Sequence, residues 1–121
     1  MLEKLKLIEN LVFVGGFAAH KHGKKKEYSD IDIVILDEND LPFLKLYNTD
    51  SKFSKSGKRG FYVDGNIKLD VFIEEKLPEY TTIDGFKCQT LESIINYYEN
   101  IYTFVDNHWK NAIDEKLKLL K

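Results

Sequence analysis

The spacing of apolar residues changes character near residue 90, and this change restricts the fold more than any other property of the chain. Up to Gln89 the apolar residues come in short runs or alternate with polar ones, punctuated by glycines and Asp-Gly pairs. Beyond it they recur at i, i+3, i+4 and i+7. The first pattern belongs to strands and the second to amphipathic helices. Leu2, Leu5 and Ile8 predict a short opening helix over residues 2–9. "LVFVGG" predicts a buried strand stopped by Gly15 and Gly16, and "FAAHKH" a short helix closed by Gly23. "DIDIVIL" predicts another strand; "ENDLPFLKLYN" predicts helix or irregular chain, since Pro42 fits only near a helix start. "GFYVDGNIKLDVFIEE" predicts a hairpin with Asp64-Gly65 as a type I′ turn, and "YTTIDGFKCQ" a second, shorter pair about Asp84-Gly85.

After that point Leu91, Ile94, Ile95, Tyr98, Ile101, Tyr102 and Val105 form one helical stripe behind Thr90 as N-cap. Trp109, Ala112, Ile113, Leu117 and Leu120 form a second, capped by Asp106 or Asn107, and both stripes read as core. The order predicts an α+β chain with a mixed sheet, organised as one domain over residues 1–121. Its core covers about residues 10–89 and a helical segment about residues 90–121.

A hydrophobic share of 43% and 121 residues suffice for a core without staples. Net charge of −2 argues against a generally basic nucleic-acid surface. One cysteine, Cys88, forms no internal disulfide and reads as a small semi-buried residue. The N-terminal "MLEKLKLIEN" lacks the apolar stretch of a signal peptide, and no run approaches a membrane span. These features predict a cytoplasmic protein without a membrane partner.

Within "DIDIVIL", alternation puts Asp30 and Asp32 on one face and Ile31, Ile33 and Ile35 on the other. Carboxylates about 5 to 7 Å apart repel by roughly 2 to 3 kcal/mol at an effective dielectric near 20. One would take up a proton unless a cation intervened, and hard oxygen donors select Mg²⁺ or Mn²⁺. The plainer alternative has Asp30 capping the strand and Asp32 on an exposed edge. Asp70 in "IKLDVFI" is a further carboxylate between apolar neighbours. Were the two strands adjacent, three carboxylates would share one face, the ligand set of a two-metal site. Gly15-Gly16, at a strand-to-helix junction, allows backbone N–H groups to approach an anion. Together these describe a pocket for a metal-bound phosphate chain.

The basic segment His20, Lys21, His22, Lys24, Lys25 and Lys26 joins the glycines to the aspartates. It reads as a solvated loop, or as one whose lysines meet a triphosphate or a polyanionic acceptor such as RNA; "SKSGKRG" offers the same pair of readings. His20 and His22 point to different faces of a helix, which disfavours a transition-metal site.

Val14-Gly15-Gly16, thirteen residues from Phe17 to Ser29, Asp30-Ile31-Asp32-Ile33 and Leu69-Asp70-Val71 together resemble the signature of the nucleotidyltransferase superfamily typified by DNA polymerase β. The resemblance covers about residues 12–73. It looks closest to the Gly-Gly branch of lincosamide-type antibiotic and abortive-infection toxin nucleotidyltransferases. "GFKCQTLESII" and "HWKNAIDEKLKLL" resemble that group's tail, where Lys110 and Asp114 match a K-D-x-x-D pattern and Asn111 departs from it.

The resemblance implies the polymerase β-like fold and a Mg²⁺-dependent enzyme that binds ATP or another NTP. It would transfer NMP to a hydroxyl of a small molecule such as an antibiotic, a tRNA end or a protein side chain, releasing pyrophosphate. It further implies that Asp30, Asp32 and Asp70 hold two Mg²⁺ (or Mn²⁺) ions, with Asp70 also acting as base. Gly15 and Gly16 would grip the β- and γ-phosphates, with Ser29 and Lys26 as further nucleotide contacts. The short chain suggests that a second protomer or a helical partner, as in toxin–antitoxin pairs, completes the site. The alternative of another class is a nucleotide-binding antitoxin module without turnover.

Overall fold

The computed structural model describes residues 2–41, 47–50 and 58–121, with the backbone alone at residues 47–50 and 58. In chain order the elements are α1 (Leu2–Lys6), β1 (Leu11–Val14), α2 (Gly15–Lys21), β2 (Ile31–Ile35), a 3-10 turn (Glu38–Asp40), β3 (Tyr47–Asp50), β4 (Lys58–Asp64), β5 (Ile67–Ile73), β6 (Tyr80–Ile83), β7 (Phe86–Gln89), α3 (Leu91–Ile101) and α4 (Asn107–Leu120). The chain is α+β, with a seven-stranded mixed sheet of order β3-β4-β5-β2-β1-β7-β6. β2 runs parallel to β5, β1 runs parallel to β7, and the remaining pairs are antiparallel.

The central strands are buried because they alternate between two apolar faces. Leu11, Phe13, Ile31, Ile33, Ile35, Leu69 and Val71 face the main core, where Leu5, Phe17, Ala18 and Ile94 from the helices cover them. Val12, Val14 and Val34 form a smaller cluster on the opposite face with Phe72 and Leu77. Phe13, Phe17 and Phe86 stack at centroid distances of 4.9, 5.2 and 5.4 Å. Tyr28 meets Phe17 edge-on at 4.9 Å, which ties the loop leading into β2 to the core. Cys88 is buried in that core, and burial pushes its thiol up to about 11, so it is a packing residue.

Several sequence expectations need correction. The first hairpin turns one residue later than expected: Asp64 pairs with Ile67, leaving Gly65-Asn66 as the loop. Only Gly65 of these two has positive φ (+61°), the signature of a type II′ turn. The type I′ signature falls instead on Asp84-Gly85, with φ of +53° and +84°, between paired Ile83 and Phe86. Strand β3 was not foreseen, and the glycines begin α2 rather than precede it. The predicted caps are present: Ser93 N donates to the Thr90 side chain and Trp109 N to that of Asp106. Trp109 itself is 42% exposed and lies outside the core, whereas Ile113 and Leu120 of the same stripe are buried. Of "ENDLPFLKLYN", expected as helix or irregular chain, Glu38–Asp40 is a 3-10 turn and Tyr47 and Asn48 belong to β3, while Pro42 and residues 43–46 lie outside the described residues, as do Ser54–Gly57 of the second basic stretch. Among the described residues no helix is long and apolar enough to cross a membrane.

Candidate active site

The site is built where β2 lies between β1 and β5. Asp32 pairs in register with Val14 of β1 on one side and with Asp70 of β5 on the other. Ile31, Ile33, Leu69 and Val71 point into the main core, so alternation directs both carboxylates to the opposite face. The adjacency of the D-x-D strand and the Asp70 strand, on which the shared carboxylate face depended, is present as the parallel β2–β5 pair. Asp30 precedes β2 rather than belonging to it, and its charge still acts on Asp32.

Asp32 is held in an unusual electrostatic state. Burial, then the charge of Asp70, a hydrogen bond shared with Asp70 and the charge of Asp30 push its carboxyl up to about 7, against a smaller opposing pull from Lys116. Desolvation and the neighbouring carboxylates thus favour the protonated, neutral form of Asp32.

Asp70 is not the lone charge that the sequence suggested. It is buried at 5% exposure, and Arg59 on β4 donates to its Oδ1 at 3.0 Å while Lys68 lies at 3.7 Å. Arg59 also stacks on Phe72, its register partner, at 5.2 Å. The signal was present in alternation, because Lys68 is two residues from Asp70 on the same strand. Among the described residues no group of three His, Cys, Asp and Glu side chains is gathered closely enough to hold a metal ion. With Arg59 in place, Asp70 faces its guanidinium rather than a shared ligand position.

Gly15 supplies the third wall. Its φ is +60°, and a Cβ added there would stand 2.6 Å from Asp32 Oδ2. The β1–α2 backbone therefore touches the carboxylate as no other residue type allows. Gly15→Ala is expected to destabilise the fold by at least the ~1–2 kcal/mol of a left-handed alanine, and to displace Asp32. Urea unfolding measures it; an unchanged midpoint would contradict the contact.

The remaining expected site residues divide. Gly16 adjoins the carboxylates through Gly15, and Lys25 Nζ stands 3.3 Å from the position a Gly16 Cβ would take. Lys26 and Ser29 are exposed, so Lys25 rather than Lys26 is the lysine at the glycine turn. His20 Nδ1 donates to the Lys25 carbonyl at 3.0 Å, and His22 Nε2 to the Gln89 carbonyl at 2.8 Å, so each ring is committed to a separate backbone group. Lys110 and Asp114 both engage Tyr102, at 5.4 Å from its ring and 3.5 Å from its hydroxyl.

The residue of α4 that reaches the site is Lys116, which sequence reasoning missed. It stands three residues after buried Ile113 and four before buried Leu120. A lysine thus occupies an apolar position of the stripe, and that was the available signal. Lys116 is exposed overall, yet partial burial of its head group, with Lys25 next, holds its ammonium below the usual lysine range. Tyr97 and Tyr98 of α3 border the same region; burial followed by the charge of Asp32 pushes the Tyr97 phenol up to about 12 and that of Tyr98 further.

No family model and no curated protein matches the chain. Among solved structures it is similar to JHP933 from Helicobacter pylori, with a TM-score of 0.49 and 16% identity over 79% of this chain and 53% of that one. The chain spans about half the length of that protein.

Proposed function

We propose that the chain is a metal-dependent nucleotidyltransferase of the polymerase β-like fold, transferring NMP from an NTP to a hydroxyl acceptor. The register pair Asp32 and Asp70 on adjacent parallel strands is the observation that carries this reading. Isolated acids do not need to face one another across buried strands, and the pair is costly to ionise without a cation. In kind, as hard carboxylate oxygen, Asp30, Asp32 and Asp70 suit Mg²⁺ or Mn²⁺; to serve one ion they would have to draw closer together than they stand, with Asp70 exchanging Arg59 for the ion. Such an ion would neutralise a phosphate chain and polarise its phosphorus–oxygen bonds.

The chain's own residues have separate tasks in this reading. Gly15 and Gly16 bring backbone close to the phosphates, and the carboxylates orient the triphosphate against them. Asp70 accepts the proton of the acceptor hydroxyl. The acceptor oxygen then bonds to the α-phosphorus as the bond to the bridging oxygen breaks, and pyrophosphate leaves. Phe104, Trp109 and Leu119, exposed at 51%, 42% and 53%, agree with a second protomer or helical partner completing the site.

The test is incubation with each α-labelled NTP, Mg²⁺ and candidate acceptors: bulk tRNA, lysate proteins, lincosamides and aminoglycosides. Label is expected on one acceptor class in a Mg²⁺-dependent manner, and no label from any NTP overturns the reading. The Arg59–Asp70 ion pair favours a second reading, a nucleotide-binding module without turnover. There, nucleotides would stabilise the protein while label stays in the NTP.

A further inference from the structure

One register row crosses the sheet at the candidate site. Val14 of β1 pairs with Asp32 of β2, Asp32 with Asp70 of β5, and Asp70 with Phe61 of β4. Neighbouring strands lie about 4.8 Å apart, so Phe61 stands two strands beyond Asp32, on the side away from Gly15. Tyr62 packs against the main core, and alternation therefore turns Phe61 to the carboxylate face. The same face carries Arg59 against Phe72, and Val63 across from Lys68. Phe61 is half-buried and Val63 is exposed, so the carboxylate row continues outward as an aromatic and apolar ledge.

The row gives the two substrates opposite ends. In a displacement at phosphorus the attacking and leaving oxygens stand in line. With pyrophosphate leaving toward Gly15 and Gly16, the acceptor hydroxyl comes from the Asp70 side, and the body of the acceptor rests on Phe61. Charge narrows its chemistry. Arg59 and Lys68 both reach Asp70 Oδ1, at 3.0 and 3.7 Å, two cations on one carboxylate. The ledge is therefore positive, which disfavours a polycationic acceptor. Asp64 at the hairpin turn, and Glu74 and Glu75 after β5, bound this positive area at both ends. A polynucleotide backbone needs a longer strip of cations, whereas a single anionic group fits the pair.

Resting on the nucleotide-transfer reading, we infer that Phe61 and Lys68 determine acceptor specificity, selecting a small hydroxyl compound with an aromatic ring and one negative charge. The ring stacks on Phe61, the anionic group meets Lys68 and Arg59, and the hydroxyl faces Asp70. Its oxygen bonds to the α-phosphorus as the bond to the bridging oxygen breaks, and Asp70 takes the proton. Polycations such as aminoglycosides are rejected by charge.

Two probes share a phenol ring and differ in charge: 4-hydroxyphenylacetate and tyramine. Each is titrated into the full chain and followed by the amide resonances of β4 and β5. The anion is expected to move Phe61 and Lys68 at concentrations about tenfold below those tyramine needs. Phe61→Leu should weaken it about fivefold or more, as loss of a stacking partner does. Lys68→Glu, at an exposed position where folding is little affected, should abolish the preference for the anion. Ile67→Ala, on the other face of the same hairpin, stays near wild type. Equal response to the two probes, no response in wild type, or an unchanged preference in Lys68→Glu overturns the inference, as does label found only on tRNA, protein or aminoglycosides. Probe binding that depends on Phe61 and Lys68, without label transfer from any NTP, upholds the ledge and sinks the transferase reading. Label transfer by a protein whose β4 and β5 resonances ignore both probes does the reverse.

Discussion

Asp32→Asn is expected to reduce nucleotide transfer to background and, at the same time, to make the metal-free protein more stable at pH 8. Removing a buried acid usually costs stability, so the combination is diagnostic. Burial first, then Asp70 and Asp30, push the Asp32 carboxyl up to about 7, with Lys116 opposing. In the unfolded chain the same group titrates near ~3.9. Between these values the native state binds more protons than the unfolded one. This group's contribution is therefore fully present below about pH 4 and falls as pH rises through about 7. Asparagine keeps the shape and a hydrogen bond to Asp70 but has no charge to desolvate. The variant should match wild type near pH 4 and exceed it at pH 8, by at most about 4 kcal/mol for a shift of ~3 units. Thermal unfolding in EDTA across that range measures the crossing. Adding Mg²⁺ at pH 8 should stabilise wild type and leave the variant unmoved. A variant less stable at every pH would make Asp32 a structural acceptor and remove the electrostatic basis of the site.

How much of this was legible in the sequence depended on whether one strand or several had to be known. Alternation within single strands placed Asp32 and Asp70 opposite the isoleucines and Leu69, and the side-chain caps at Thr90 and Asp106 were readable from residue type and position. Which strands are neighbours is a non-local fact. Here β5 lies beside β2 although β3 and β4 intervene in sequence, and this brought Asp70 to Asp32, while Arg59 reaches Asp70 through the β4–β5 pairing. Arg59 belongs to a stretch whose flexible, basic composition suggested solvent, and only cross-strand pairing reveals it as a partner of a buried acid. The turn error at Gly65 was smaller in kind. Asp-Gly is the commoner signal, but the ladder places Asp64 in the strand, and register outweighs dipeptide preference. Lys116 was missed for a different reason. Sequence motifs drew attention to Lys110 and Asp114, while the informative observation was a charged residue at an apolar position of a helical stripe.

Arg59→Met is expected to destabilise the metal-free protein and to enlarge its response to Mg²⁺. The arginine meets Asp70 Oδ1 at 3.0 Å and is 29% exposed along its side chain, while the Asp70 side chain is 7% exposed. Breaking a fully buried pair costs about 3–5 kcal/mol. Water at Arg59, and Lys68 remaining at 3.7 Å, reduce the expected loss here to roughly 1–3 kcal/mol. Methionine preserves the stem that packs on Phe72, so the loss reports charge more than packing. On the proposed metal-dependent reading, a cation must displace the guanidinium from Asp70 in wild type before three carboxylates can serve it. In the variant that competition is absent, and Asp70 is left beside Asp32 with only the more distant Lys68 as counter-charge. Mg²⁺ affinity should rise about tenfold, adding about 1.4 kcal/mol of metal-dependent stabilisation at saturation. Much of the variant's deficit then disappears in millimolar Mg²⁺. Paired urea titrations of both proteins, with EDTA and with Mg²⁺, separate the two contributions. If the metal shift is the same in both, Asp70 is not a ligand. Arg59 would then be its permanent partner, and the reading without turnover would be preferred. A larger shift in the variant makes Arg59 the counter-ion that occupies the third carboxylate until metal and nucleotide arrive together.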